Sequence, residues 1–219
     1  MHGRNSRGRS PKLFAAFLIC AGISLTGQSA ELRETWRDDA ALYDVQFIGS
    51  KNGFAVGAQG AIWSSNDSGR SWVAVPSGVN CAFRSACFLT DQIGWVAGSE
   101  ISPFTGLDSG VLMFTEDGGR LWRKLGADQL PPITYVKFFG LDEGVVVGSP
   151  TSEVPSGIMR TADGGKTWTA INGVATAPWR AASFLAPEMG AVGGPEGRLS
   201  LVGGEQVLAA KLPTQGLRT

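Results

Sequence analysis

Three copies of one eight-residue pattern constrain this chain more than any other feature. Each copy places a serine or threonine, an aspartate, a glycine and a tryptophan at the same offsets, in residues 65–72, 115–122 and 161–168. A pattern that recurs at this period indicates stacked supersecondary units rather than one irregular core. We therefore predict a repeat protein.

The spacing inside each copy suits a tight hairpin turn. Aspartate accepts backbone N–H bonds across such a turn, and a glycine two residues later adopts positive φ without a Cβ clash. The tryptophan begins the returning strand, where its ring buries apolar surface against the neighbouring unit. The pattern therefore predicts a structural role for nine residues: Asp67, Gly69 and Trp72; Asp117, Gly119 and Trp122; and Asp163, Gly165 and Trp168.

Short apolar strands fill the rest of each repeat. Four first strands each end in a phenylalanine, and a glycine and a second apolar strand follow six residues later. A third strand precedes each octamer and a fourth follows it. Twelve residues separate each octamer tryptophan from the next first strand, so two independent spacings define the same unit. Four strands per unit predict the blade of an all-β propeller. The first strands are predicted at residues 43–47, 84–88, 134–138 and 180–184.

The fourth unit differs from the others, because no octamer and no tryptophan follow Gly193. We predict that this unit is degenerate or acts as a cap. A ring left open exposes sheet edges and blade faces, so something must close it. Three alternatives stand: a strand from residues 31–40 pairs with the last unit, the chain is the front part of a larger propeller, or subunits complete one another.

The first thirty residues have the pattern of a secretory signal peptide. Four basic residues and no acidic residue accompany the apolar run 13–25, and small and polar residues follow as far as Ala30. The run is shorter than the roughly 20 residues of a membrane-spanning helix, although an uncleaved anchor is the alternative. Ile19 before Cys20 disfavours lipid attachment. We expect a signal peptide at 1–30, an N-terminal segment at 31–42 and the repeat domain at 43–219, in a periplasmic or extracellular protein.

Charge and histidine content exclude several classes of function. The chain has 19 basic and 19 acidic residues, and loss of the leader leaves 15 against 19, a formal charge of minus four. A general nucleic-acid footprint is therefore absent from the sequence. His2 is the only histidine and lies in the leader, which excludes Ser-His or Cys-His catalysis and a histidine metal site in the exported form. We predict no cofactor and no metal.

Two cysteines, Cys81 and Cys87, follow the leader. On one extended strand they would lie about 20 Å apart at ~3.3 Å per residue, too far for a disulfide. Only a looped Cys81 would reach its partner. We therefore favour a buried free thiol at Cys87.

One rim of the predicted propeller has the features of a binding face. The loop between the second and third strands is tight in the first unit but long in the next two, at residues 99–110 and 149–156. Elaborated loops on one rim are typical of binding faces. The entry positions of the first strands lie on the same rim, and an arginine there offers a planar fork to a carboxylate or peptide carbonyl. The alternative is that these arginines pair with neighbouring carboxylates. The candidate partner-binding residues are Tyr43, Arg84, Thr134 and Arg180.

The octamers resemble the Asp-box, or BNR repeat. Together with the Phe…Gly strand pattern they are most similar to the photosystem II stability/assembly factors, over about residues 40 to 195. This resemblance implies Asp-box turns away from the functional site, and an exported, cofactor-free propeller that binds a newly made membrane protein through arginines on one face. By position, only Arg84 and Arg180 match that role. Domains of this type also occur in bacteria without photosynthesis.

A glycoside hydrolase is the alternative, because sialidases also contain Asp-boxes. Such enzymes need spaced carboxylates or, for sialic acid, an arginine cluster with a Tyr-Glu pair. The two tyrosines are Tyr43 and Tyr135, and the rim carboxylates are Glu100, Asp108 and Glu153.

Overall fold

The structure is a computed structural model that describes residues 39–125 and 130–210. In these residues the chain forms four antiparallel sheets of four strands each, here called blades 1 to 4 in chain order, which confirms the predicted propeller architecture. The strands are β1 (Leu42–Ile48), β2 (Asn52–Gly57), β3 (Ile62–Ser65) and β4 (Val73–Ala74) in blade 1; β5 (Ala82–Phe88), β6 (Gly94–Ile101), β7 (Asp108–Thr115) and β8 (Arg123–Lys124) in blade 2; β9 (Ile133–Phe138), β10 (Gly144–Gly148), β11 (Ile158–Thr161) and β12 (Thr169–Ala170) in blade 3; and β13 (Ala181–Ala186), β14 (Met189–Gly193), β15 (Leu199–Gly203) and β16 (Gln206–Ala209) in blade 4.

Within every blade the strands pair in chain order. The first strands of neighbouring blades contact one another, so they line the channel. This topology gives the molecule two faces. The β1–β2-type turns and the Asp-box turns share one, the Asp-box face. The loops between second and third strands, including the 3-10 turn Ala58–Gly60, share the other with the connections between blades, and we call it the rim face.

The phenylalanine–glycine spacing has a direct structural cause. Phe88 and Gly94 are cross-strand partners, and the Phe88 ring covers the glycine so closely that a Cβ there would overlap it. The same ring stacks on Phe54 of blade 1, with centroids 3.7 Å apart and planes inclined by 8°. One residue therefore closes its own blade and packs against the preceding one. Phe138 repeats this arrangement on Trp95, with centroids 3.8 Å apart.

Polar side chains also join the first strands of successive blades. The Gln46 Oε1 atom accepts the N–H of Phe88 at 2.7 Å, and its Nε2 donates to the Phe88 carbonyl at 3.1 Å. One blade further on, the Cys87 Sγ atom accepts the N–H of Phe138 at 3.2 Å. These bonds satisfy channel-side amides and fix the register of one blade against the next.

The core consists of apolar layers between blades. Phe54, Val56 and Ile62 pack against blade 2, and a second cluster around Trp95 and Phe138 joins blades 2 and 3. A third, which includes Trp179, joins blades 3 and 4. Among the described residues no such cluster joins blade 4 to blade 1.

Blade 4 lacks an Asp-box but is a complete four-stranded sheet. Its last strand has four residues, whereas the fourth strands of the other blades have two each. Gly204, with φ of 60°, lies in the tight turn between β15 and β16. Asn172 forms a parallel bridge with Gln206, which ties the end of blade 3 to the outer edge of blade 4. The unit is therefore degenerate in its turn and not in its strands.

The sequence prediction for residues 99–110 requires a correction. This segment was expected to be a loop, but β6 and β7 extend through it, and pairs such as Glu100 with Ser109 lengthen the hairpin. Only the turn at residues 102–107 is irregular. The hairpin therefore projects from the rim face as an ordered element.

Cys81 and Cys87 are both buried and free, so they do not form the disulfide that was considered as an alternative. Burial raises the pKa of Cys81 to about 12, and burial also raises that of Cys87. Residues 1–30, and residues 31–38 of the segment 31–40 predicted to supply a closing strand, lie outside the described residues. No helix in the described part is long and apolar enough to span a membrane.

Candidate functional site

The three Asp-box turns have one hydrogen-bond pattern. In the third, the Thr161 hydroxyl donates to Asp163 Oδ1 at 2.8 Å and accepts the N–H of Gly165 at 2.9 Å. The same Oδ1 accepts the N–H of Thr167 at 2.8 Å. In all three turns the aspartate Oδ1 atom is therefore bonded within its own turn. The corresponding glycines Gly69, Gly119 and Gly165 have φ of 81°, 87° and 88°.

The tryptophan of each box packs next to its turn. Trp72 and Trp168 donate Nε1–H to the carbonyls of Gly69 and Gly165, both at 3.1 Å. Trp122 packs edge-on against Phe88, with centroids 6.1 Å apart. These contacts describe turn-closing residues on the Asp-box face, opposite the rim face.

The four candidate partner-binding residues lie together on the rim face. Tyr43, Arg84, Thr134 and Arg180 line one cavity of about 480 Å³, and each lies in or directly before the first part of the first strand of a different blade. We call these four residues the rim site. The topology brings them together because every first strand enters the sheet at this end.

Arg84 and Tyr43 are in direct contact within the rim site. The guanidinium carbon of Arg84 lies 3.9 Å from the centre of the Tyr43 ring. Such a cation–π contact orients the planar guanidinium without consuming its N–H donors. Both side chains are exposed, so the donors of Arg84 face solvent.

Thr134 and Arg180 are the other two residues of the rim site. The Thr134 hydroxyl lies 3.1 Å from the Val147 carbonyl and 3.0 Å from the Trp179 carbonyl, which fixes the strand entry of blade 3 against the segment that precedes blade 4. Arg180 is exposed, and its backbone N–H donates to the Gly193 carbonyl at 2.8 Å. Thr134 is therefore bound within the fold, whereas Arg180 is exposed and lines the cavity.

The alternative, in which the two arginines pair with neighbouring carboxylates, is not found among the described residues. Across the described ranges, the ion pairs within 4.0 Å are Lys124–Glu100 at 2.6 Å and Arg160–Glu205 at 3.7 Å. Asp108 lines the same cavity but forms no such pair. Among the described residues, the cavity is therefore lined by two arginines without an ion-pair partner and by the carboxylate of Asp108.

Trp179 is a site residue that the sequence reasoning missed. It lines the cavity, is fully buried, and donates Nε1–H to the Ser156 carbonyl at 2.8 Å. The Arg198 guanidinium covers its other surface at 4.6 Å from the ring centre. Its position directly before Arg180 was the available signal, since a buried anchor next to an exposed arginine fixes the backbone of that arginine.

The carboxylates expected of a hydrolase do not converge. Of the three candidates, only Asp108 lines the rim cavity. Glu100 accepts a hydrogen bond from Lys124. The Ser152 hydroxyl, at 2.6 Å, lowers the pKa of Glu153, which is the wrong direction for a general acid. Burial raises the pKa of Tyr135.

The fold and its turns define an Asp-box β-propeller. The family model described as photosynthesis system II assembly factor YCF48 matches residues 29–171. This chain belongs to that family of photosystem II assembly factors.

Individual relatives agree with the assignment. The curated photosystem II assembly lipoprotein Ycf48 of Synechococcus sp. (strain CC9902) is 30% identical over 135 residues, 58% of this chain and 35% of that protein. A solved structure of YCF48 bound to D1 peptide is 22% identical, with a TM-score of 0.63 over 80% of this chain and 55% of its own. The chain thus spans between a third and just over half of these relatives' lengths.

An ancestral GH74 enzyme shares the fold as well. It is 13% identical, with a TM-score of 0.61 over 80% of this chain and 24% of the enzyme. At this identity the likeness concerns the propeller fold alone, because unrelated functions use the same fold.

Proposed function

We propose that this protein is a non-catalytic, exported scaffold that binds a peptide segment of a membrane-protein client during the assembly of photosystem II. The rim site is the proposed contact. The observation that supports it most is that Arg84 and Arg180, from different blades, line one cavity without an ion-pair partner in the described part of the chain.

The chemistry of the rim site suits a carboxylate or a run of peptide carbonyls. Two guanidinium groups offer up to ten N–H donors in planar forks, and each fork binds a carboxylate in a bidentate manner. Tyr43 holds one of the forks in place. A solved relative is described as bound to D1 peptide, and family membership supports a client of the same kind for this chain.

The projecting hairpin of blade 2 extends the same surface. Its turn exposes Ile101, Phe104 and Leu107, with Phe104 96% exposed. No charged residue lies between Glu100 and Asp108. Asp108, which directly follows this apolar turn, lines the rim cavity together with the two arginines. We include the turn in the client contact, where it would pack on apolar side chains of the bound segment.

A scaffold role fits the site better than hydrolysis. The rim cavity is lined by one of the three candidate carboxylates, whereas glycoside hydrolysis uses two on either side of the scissile bond. The leader pattern at residues 1–30 supports export, and a relative is named a lipoprotein. Self-association is also part of the proposal, since the outer faces of blades 1 and 4 are apolar and exposed.

Binding of a fluorescein-labelled D1 peptide, measured by anisotropy, tests this proposal. Wild-type protein should bind the peptide, and the double variant Arg84→Glu/Arg180→Glu should bind it about tenfold or more weakly, because two charge-assisted contacts are lost. The matched control is Arg70→Glu/Arg120→Glu. It reverses two exposed arginines in the Asp-box turns, so the net charge changes equally on the opposite face.

The control should bind like the wild type. Equal weakening in both double variants would show that net charge, rather than the rim site, governs binding. Unaltered binding in Arg84→Glu/Arg180→Glu, with circular dichroism unchanged, would remove the rim site from the proposal. Release of reducing sugar from xyloglucan or sialyl-lactose by the wild type would favour the hydrolase instead.

A further inference from the structure

A second cavity, of about 550 Å³, lies between blades 1 and 2 and includes residues of both their Asp-box turns. It shares no lining residue with the rim cavity. Buried Phe54 lines it, together with Val73 of the edge strand β4, which is 66% exposed. From blade 2, Asp117 and Arg120 line it. We call this cavity the inter-blade groove.

A small side chain leaves the inter-blade groove open. Phe54 pairs across the sheet with Ser64, and Ser64 pairs with Val73. Cross-strand partners point to the same face of a sheet. The Phe54 ring stacks on Phe88 of blade 2, so all three side chains are on the side of blade 1 that faces blade 2. The serine therefore leaves space between the outer strands of blade 1 and the Asp-box turn of blade 2.

Blade 2 has large side chains at the same register positions. Trp95, Phe114 and Arg123 correspond to Phe54, Ser64 and Val73. The Phe114 ring packs on Trp95 with centroids 5.1 Å apart, and the Arg123 guanidinium lies 5.1 Å from the centre of the Phe114 ring. Blade 2 thus supplies an aromatic ring and an adjacent cation from its own sheet, whereas blade 1 supplies neither.

Blade 3 also has a large side chain at this register position. Arg160 corresponds to Ser64 there, and it lies 3.7 Å from Glu205 of blade 4. In both of these interfaces the chain itself places a large side chain where the inter-blade groove has a serine.

Carboxylates give the inter-blade groove its charge. Asp91 and Asp117, from two turns of blade 2, line it, and the cation among its lining residues is Arg120. Arg120 forms no ion pair within 4.0 Å in the described ranges. In the other Asp-boxes a hydroxyl donates to the aspartate Oδ2 atom, but blade 2 has Leu121 in that position. Carboxylate oxygens beside an apolar surface suit a cation that lies next to an aromatic ring.

We infer that the inter-blade groove binds an extended peptide of a partner protein in which an aromatic residue stands next to a lysine or arginine. The aromatic ring packs on Phe54, in the way that Phe114 packs on Trp95. The cation lies beside Asp91 and Asp117. The peptide backbone runs along β4, which has a neighbouring strand on one side only in the described sheet, so its other edge accepts a further strand.

Selection from a phage-displayed library of random seven-residue peptides tests the inference on the full chain. The wild type should enrich sequences with Phe, Tyr or Trp directly before or after Lys or Arg. The comparison is Ser64→Phe/Val73→Arg, the closed variant, which gives blade 1 the same residues as blade 2. It should not enrich this pattern. Absence of the pattern from the wild-type selection, or equal enrichment by the closed variant, would overturn the inference.

Anisotropy with the most enriched peptide measures each contact. The closed variant should bind about tenfold or more weakly, and Asp91→Asn about threefold to fivefold more weakly, because one exposed ion pair is lost. Asp142→Asn is the matched control, because Asp142 is exposed in the corresponding turn of blade 3 and does not line the groove. Asp91→Asn changes an exposed side chain, so it tests the site even where the closed variant does not fold. Equal affinities for Asp91→Asn and Asp142→Asn would contradict the cation contact.

Titration in the presence of saturating D1 peptide separates this site from the rim site. The affinity for the enriched peptide should stay within about twofold, and Arg84→Glu/Arg180→Glu should bind that peptide like the wild type. Competition between the two peptides would place both in one site and overturn the groove as a separate one. Failure of the rim site to bind D1 peptide would leave the groove results unchanged.

A crosslink identifies the occupant directly. Asn66 lines the groove and is exposed. With Asn66→p-benzoylphenylalanine, irradiation should join this position to the enriched peptide. A crosslink to residues 1–38 or 211–219 of the same chain, formed equally with and without the peptide, would contradict a partner peptide and assign the groove to the chain itself.

Discussion

Ser71 donates its hydroxyl proton to Oδ2 of Asp67 at 2.6 Å. Thr167 makes the same bond to Asp163 at 2.6 Å, but blade 2 has Leu121 in this position. The carboxyl pKa values follow the difference: those of Asp67 and Asp163 fall to about 2, with this side-chain bond as the largest cause. In Asp117 the pKa is also lowered, chiefly by the backbone N–H of Leu121. The three turns therefore share their backbone hydrogen bonds. The largest cause of the lowered aspartate pKa is a side-chain hydroxyl in blades 1 and 3 and a backbone N–H in blade 2.

Leu121→Thr should lower the pKa of Asp117 further, because the new hydroxyl supplies the bond that Asp117 lacks. Thr167→Val is the reverse change and should raise the pKa of Asp163. Both shifts are measurable by NMR titration of the carboxyl carbons. A Leu121→Thr variant with an unaltered Asp117 titration would contradict the assigned cause.

The Asp-box carboxylates make stability depend on pH in a defined direction. Their pKa values in the folded protein lie below the ordinary 3.8, so the ionised form stabilises the fold. This contribution is complete above about pH 4 and is lost as the pH falls towards about 2. The difference in unfolding free energy between wild type and Asp163→Asn, measured in urea, should narrow between about pH 6 and about pH 2. A constant difference would exclude these bonds as its source.

A close backbone contact leaves no room for a side chain at Gly98, whereas Gly140 has room for one. A Cβ on Gly98 would overlap the Ala82 carbonyl of the neighbouring strand, whereas one on Gly140 would meet nothing within 4 Å. Gly98→Ala should lower the free energy of unfolding by about 2 kcal/mol or more, because the strands must separate. Gly140→Ala should stay within about 1 kcal/mol of the wild type. Equal denaturation midpoints for the two variants would contradict the close packing of β5 on β6.

The sequence predicted the propeller because two local spacings report the same unit. The Asp-box predicts the hairpin between the third and fourth strands, and the phenylalanine six residues before a glycine predicts the hairpin between the first and second strands. These two hairpins define the strand order in a blade, which places Arg84 and Arg180 on the same rim. The hairpin extension near Glu100 was not predictable in the same way, because Ser, Pro, Thr and Gly within residues 99–110 favour a loop and cross-strand pairing overrides that preference.

The orientation of side chains that contact each other across blades could not be predicted from the sequence. Arg84 stacks on Tyr43, which belongs to another blade and lies about forty positions earlier in the sequence. The buried Trp179 is held by a hydrogen bond to the carbonyl of Ser156. Local sequence patterns do not indicate how such side chains are oriented. Blade 4 was predicted to be degenerate or a cap because it lacks the octamer. Its third and fourth strands are joined instead by the tight turn at Gly204, so the four-stranded sheet forms without an Asp-box.

Hydrogen–deuterium exchange with and without saturating D1 peptide shows which segments of the folded chain a bound peptide protects, and so tests whether the rim face is the client site. We expect slower exchange in the rim-face segments that contain Arg84, Thr134 and Arg180 and in the hairpin turn at residues 102–107, with the Asp-box turns unchanged. Protection confined to the Asp-box turns, or exchange unaltered everywhere at saturation, would contradict a client site on the rim face.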